Sequence, residues 1–296
     1  MNLVDQAERL RDIVKQKNQQ EIAAPTDVTS RIITVTSGKG GVGKSNITLN
    51  LALALTKHDK RVVIMDADFG LANIEVLFGL VPKYNLKHVF DGEKTIGEII
   101  TEGPMGVKLV SGGSGIRELA NMDERQMGMV IEKFAYLDTI SDIILVDTGA
   151  GMGNSVLNFV KASGETLIVT TPEPTSLTDS YAVVKAVYNE MGSRPLFKVI
   201  VNRADNEAEA EDVFGKISTV SKHFLNIDLE NLGFIPYDAN MLKAVKRQEP
   251  VFTLFPETEA ARSIDRICLK LMGVQTAEVS GGIKSFLKKF AGFFTK

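Results

Sequence analysis

The chain has 296 residues, 44% hydrophobic and 24% charged, with a net charge of −3; it can bury a full core as one large domain with appendages, and its charge gives no global push toward nucleic acid. Its single cysteine, Cys268, excludes an internal disulfide and the paired cysteines of an iron–sulfur carrier, while His58, His88 and His223 are scattered without metal-ligand spacing. The longest apolar runs are strand-length, far below the roughly 20 residues that cross a bilayer, so a cytoplasmic protein is expected.

Residues 1–14 carry Leu3, Ala7, Leu10 and Val14 on one helical face. So short a helix has little to pack on at home and suits a partner's groove. A polar stretch over residues 15–30 reads as a linker. The apolar run Ile32 to Val35 then leads into Gly38, Lys39, Gly40, Gly41, Val42, Gly43, Lys44 and Ser45, followed by a helical pattern through Ile47, Leu51 and Leu55. Strand, glycine-rich loop and helix in that order form a phosphate-binding loop. Its backbone N–H groups face phosphate oxygens, Lys44 neutralises their charge, and Ser45 holds Mg²⁺.

Strand-like segments follow at Arg61 to Met65, Val107 to Val110, Asp142 to Val146, Thr166 to Thr170, Phe197 to Val201 and Asn231 to Ile235, alternating with helical ones. The alternation predicts an α/β fold, a doubly wound, mostly parallel sheet with helices on both faces, over residues 31–273. Ligands of such sheets sit beyond the carboxyl ends of the strands. There the second strand ends in Asp66 and Asp68, a carboxylate pair able to serve Mg²⁺ and a water together. Another apolar strand runs into Asp147, the arrangement that supports Mg²⁺ in phosphoryl-transfer sites.

After a linker over 274–282, residues 283–296 place Ile283, Phe286, Leu287, Phe290, Phe293 and Phe294 on one helical face, with Lys284, Lys288, Lys289 and Lys296 around it and no acid. This is the pattern of an interfacial membrane helix.

The form KGGxGK[ST], with Lys39 beside the usual lysine, resembles the deviant Walker A group of P-loop ATPases that includes MinD, ParA and nitrogenase iron protein. The resemblance implies an ATP-dependent homodimer using ATP/ADP and Mg²⁺, in which Lys39 reaches the partner's nucleotide, Asp68 positions the attacking water, and Asn202 with Pro236 holds the adenine. The segment DQAERLR, with Asp5, Gln6, Leu10 and Arg11, resembles the activator head of flagellar MinD-like ATPases. That subgroup implies slow, dimer-regulated hydrolysis, cycling to the inner face of the cytoplasmic membrane and the cell pole, and control of flagellar number and placement. It also implies stimulation of the GTPase FlhF, restraint of a flagellar transcriptional activator, and contact with flagellar switch components. A DNA-partitioning or division-positioning ATPase is the alternative; the former needs a basic surface patch, which the charge does not suggest.

Overall fold

A computed structural model describes residues 29–68, 73–113, 115, 124–191, 196–273 and 282–293. The proposed partner residues Asp5, Gln6, Leu10 and Arg11, and Phe294 of the tail, lie outside the described residues.

The sheet has eight strands: β1 (Arg31–Thr36), β2 (Val62–Ala67), β3 (Ile100–Glu102), β4 (Lys108–Ser111), β5 (Ile143–Thr148), β6 (Glu165–Thr170), β7 (Leu196–Ala204) and β8 (Leu229–Pro236). Their order is β3-β4-β2-β5-β1-β6-β7-β8, parallel throughout except for the β3–β4 pair. The central strands read as unbroken apolar runs because helices cover both faces. Ile33 and Val35 point into one core layer and Ile32 into the other. The seven expected strands are present with ends shifted by up to three residues. The eighth, β3, is a three-residue antiparallel edge with no apolar run to mark it.

The α-helices are α1 (Lys44–Lys57), α2 (Asn73–Phe78), α3 (Leu86–Phe90), α4 (Ile96–Ile99), α5 (Glu124–Ile140), α6 (Asn154–Ser163), α7 (Pro174–Met191), α8 (Glu207–Leu225), α9 (Ala239–Arg247), α10 (Val251–Leu254), α11 (Glu259–Gly273) and α12 (Gly282–Gly292), and a 3-10 turn spans Pro104–Gly106. Helices α1 and α11 cover one face, where Cys268 is fully buried and its thiol is pushed up to about 12 by loss of solvent. Helices α5, α6 and α12 cover the β2, β5 and β1 side of the other face. At the amino end of the sheet, buried Glu165 takes hydrogen bonds from Arg31 at 2.6 Å and Lys198 at 2.7 Å, tying β1, β6 and β7 together.

The tail is docked on the body. Its expected bilayer face is not presented to solvent: Ile283, Phe286, Leu287 and Phe290 are at most 2% exposed. Phe290 stacks on Phe159 of α6 with ring centroids 4.3 Å apart. Lys161 lies 4.2 Å over the Phe293 ring, and Lys284 pairs with Glu132 at 3.0 Å, while Lys288 and Lys289 face water. Gly282, expected in the linker, opens the helix. The reason is generic: an apolar helical stripe buries against whatever apolar surface is nearest, and α5 with α6 offers one.

Candidate phosphate and carboxylate site

The loop Gly38 to Ser45 leaves the carboxyl end of β1 at the centre of the sheet, and α1 begins at Lys44. Two of its glycines are required by space. A side chain at Gly38 would collide with the backbone of Asp179 and Ser180 on α7, and one at Gly43, whose φ is +93°, would meet the Asn202 amide at 2.6 Å. Gly40 and Gly41 have open space beside them, and Val42 is buried beneath the loop.

Asp147 is the hub. It is fully buried near the end of β5 and aligned with Val35 and Asp66 on the neighbouring strands. Its Oδ1 accepts from Lys44 Nζ at 3.0 Å and Thr48 Oγ1 at 2.8 Å; its Oδ2 accepts from Ser45 Oγ at 2.6 Å. Thr48 stands one helical turn beyond Lys44 and so faces the same carboxylate. Nothing in the sequence pattern marks it.

Asp66 stands beside this hub. Its Oδ1 accepts the Asp68 N–H at 3.1 Å, while its buried Oδ2 has no hydrogen-bond partner among the described residues. Loss of solvent, then the Asp147 charge, pushes its carboxyl up to about 7. An orphaned buried carboxylate oxygen beside a second carboxylate and a serine hydroxyl is a hard-oxygen donor set that fits Mg²⁺. No cluster of three or more His, Cys, Asp or Glu able to hold a metal occurs among the described residues. Asp68 is half-exposed, accepts from Asn73 Nδ2 at 3.3 Å, and lies against Gly149. Gly151 N–H in turn donates to Ser37 O at 2.8 Å, linking the segment after β5 to the phosphate loop.

Lys39 is held by partners outside the loop. Its Nζ lies 2.6 Å from Glu173 Oε2 and 2.9 Å from Thr175 Oγ1, at the start of α7. That pairing holds the exposed Glu173 carboxyl below its ordinary range. Sequence reasoning assigned neither partner a role, since 134 and 136 residues separate them from Lys39.

Beside the loop, Asn202 Nδ2 donates to Val42 O at 2.8 Å, and Asn202 lines a cleft of about 330 Å³. Pro236 lines that cleft together with Arg203, Tyr237 and Met241. A wider open groove of about 710 Å³ between residues 92–98 and α5 contains none of the phosphate or carboxylate motifs, so volume alone does not mark the site.

The chain matches a family model described as ParA, NUBPL iron-transfer P-loop NTPase, over residues 28–272. The iron-transfer term has no counterpart in a chain with one cysteine, and that one buried. Over 241 residues it is 39% identical to "Antiactivator FleN" of Pseudomonas aeruginosa, covering 81% of this chain and 86% of that protein. It is 34% identical over 291 residues to "Flagellum site-determining protein YlxH" of Helicobacter pylori, covering 96% and 97%. The fold is similar to that of MinD in the Aquifex aeolicus MinC:MinD complex, with TM-score 0.68 and 28% identity, covering 85% of this chain and 100% of that one. Together the loop with its second lysine, the Asp147 hub and these similarities make the chain a member of the ParA/MinD family of P-loop ATPases, in its FleN/FlhG branch.

Proposed function

We propose that the protein is an ATP-dependent dimerising switch that binds ATP with Mg²⁺, hydrolyses it slowly, and sets flagellar number and placement from the inner face of the cytoplasmic membrane. The observation that carries this reading is one buried carboxylate, Asp147, gripping Lys44 and Ser45 under the phosphate loop with Asp66 alongside. Arriving phosphates offer Lys44 a stronger anionic partner, and it turns from Asp147 toward them. Ser45, Asp147 and Asp66 are the residues that would hold Mg²⁺, whose charge offsets that of the β- and γ-phosphates. Asp68, tethered through its N–H to Asp66, orients the attacking water. In the dimer Lys39 exchanges Glu173 for the phosphates of the partner's nucleotide and stabilises charge in the transition state. Asn202 and Pro236 hold the adenine.

Magnitudes favour coupling of the tail to dimerisation. Full burial of Ile283, Phe286, Leu287 and Phe290 is worth about 1.5–3 kcal/mol each, and half-burial in a bilayer interface about half of that. A single tail therefore stays docked. Two tails on an ATP-bound dimer reach the bilayer with high effective concentration, and lysines such as Lys288 and Lys289 add about 1 kcal/mol each near anionic lipid. The names of the relatives, an antiactivator and a flagellum site-determining protein, support restraint of an activator and a role in siting flagella; restraint of a flagellar transcriptional activator at the cell pole, with contact to flagellar switch components, extends that reading. The DQAERLR head supports stimulation of an FlhF-type GTPase through Asp5, Gln6, Leu10 and Arg11.

The test is cosedimentation with anionic liposomes in ADP and in a nonhydrolysable ATP analogue, with the oligomer sized by light scattering. Dimers and lipid binding that both require the ATP analogue support the switch. ATP-dependent dimers that ignore lipid overturn the membrane part.

A further inference from the structure

The strand that begins the body and the helix that ends it meet on one carboxylate. Asp138, half-buried in the last turns of α5, accepts the Ser30 N–H on Oδ1 at 3.1 Å, just ahead of β1. Its two oxygens also accept the Ile283 N–H, at 3.1 and 3.2 Å, in the first turn of α12. Both sides are built for the contact. The Ser30 hydroxyl lies 2.9 Å from Ser141 O and 3.0 Å from Ser141 Oγ, with both serines buried. Gly282 has φ +53°, and a Cβ there would lie 2.5 Å from Asp138 Oδ2. Only glycine lets the backbone approach the carboxylate that closely.

The first turn of α12 contains no acid. A helix start leaves N–H groups unsatisfied and carries partial positive charge, so the acceptor and the negative charge come from α5. The apolar contacts under α12 are non-directional and tolerate small shifts, whereas a hydrogen-bonded cap is directional and does not. A carboxylate held by two donors keeps one rotamer; loss of either donor frees it to turn away from the other. Groups that share a hydrogen-bonding partner are coupled, and the coupling is reciprocal.

We propose that Asp138 is a coupling latch: it holds α12 docked, and it converts displacement of the backbone at Ser30, where the N-terminal segment joins the body, into release of the tail. The consequence for membranes rests on the reading of α12 as the lipid-binding element. A partner that engages the residues before Ser30 would then favour the membrane-bound form without touching the nucleotide.

The experiment uses the full-length, nucleotide-free protein, with amide hydrogen exchange resolved by residue and cosedimentation with vesicles of phosphatidylglycerol and phosphatidylethanolamine. Asp138→Ala is expected to speed exchange across Ile283 to Phe290 about five-fold, the worth of a typical cap, and to raise the vesicle-bound fraction. Asp138→Asn, which keeps an acceptor oxygen, is expected to fall between. Gly282→Ala keeps Asp138 itself but drives a Cβ against its carboxylate from the tail side, and is expected to speed exchange at Ser30 as well as in α12; it also carries the test if Asp138→Ala fails to fold. Unchanged α12 protection in Gly282→Ala overturns the latch. Faster α12 exchange with Ser30 unchanged overturns the coupling. Faster exchange at both places with no gain in vesicle binding leaves the latch standing and overturns the membrane reading.

Discussion

Lys39 Nζ lies 2.6 Å from Glu173 Oε2, so the second lysine of the phosphate loop is held within its own chain rather than aimed at its own loop. Both side chains are substantially exposed, at 38% and 56%, so solvent screens the pair. The hold is weak enough for a partner's nucleotide to break.

Lys39→Ala is therefore expected to leave ATP binding by the monomer near that of the parent, because Lys44 supplies the charge there. It should lower single-site turnover by about 10²–10³, the loss typical of one transition-state donor. Equilibrium binding of a fluorescent ATP analogue and phosphate release measured side by side check the split. A parallel loss of binding would return Lys39 to a role within its own site.

Asp66 predicts a pH dependence with a definite sign. Its carboxyl is raised from 3.8 to about 7 in the fold, so the folded chain holds a proton that the unfolded chain has lost. Stability from this group is present below the unfolded value and is lost as the pH rises through about 7. At 1.36 kcal/mol per unit the loss is of order 4 kcal/mol. Nucleotide-free Asp66→Asn should be more stable than the parent at neutral and alkaline pH, with the gap smallest at the acid end, widening between about pH 4 and 7 and level beyond. Urea midpoints across that range check it; a constant gap would contradict the ionisation.

Thr48→Val removes one of the donors to Asp147 while keeping the shape of the side chain. The expected cost is about 1–2 kcal/mol. Asp147→Ala leaves Lys44 buried without its anion and should cost more, about 3–5 kcal/mol. Denaturant midpoints in the absence of nucleotide give both values. The reverse order would mean that Lys44 finds another partner in the free protein.

The parts of the site that were legible in the sequence are those whose chemistry is contiguous. Gly38 to Ser45 announces itself because eight adjacent residues do one job, and Asp66 and Asp147 stand out because an acid ends an apolar strand. Thr48, Glu173 and Thr175 were silent: a threonine in a helix and an acid after a strand are ordinary until folding brings them to Asp147 and Lys39. For the fold, unbroken apolar runs gave the parallel strands, while β3 pairs through three residues with no such run. In the tail, the stripe of Ile283, Phe286, Leu287 and Phe290 is unmistakable, but a stripe states that a face is buried and not against what. Phe159 is the answer in the monomer, 124 residues before Ile283.

That answer can be weighed against the alternative of a loosely held tail. Phe290 is fully buried and stacked on Phe159 at 4.3 Å, and removing a buried phenylalanine costs about 3–5 kcal/mol. Phe224, by contrast, is 69% exposed, and surface changes of that kind fall within about 0.5 kcal/mol. If α12 is part of the folded core, Phe290→Ala lowers the stability of the nucleotide-free monomer by the larger amount and increases binding of a dye that reports exposed apolar surface, while Phe224→Ala does neither. If α12 detaches freely, the Phe290 variant loses no more than the Phe224 variant, because the ring spends its time in water in both. On the proposed switch, the same comparison fixes how much free energy dimerisation and lipid together would supply to draw the tail out: a loss near 4 kcal/mol exceeds what one half-inserted phenylalanine recovers from a bilayer interface, so that switch requires release to be driven by the dimer and shared between two tails.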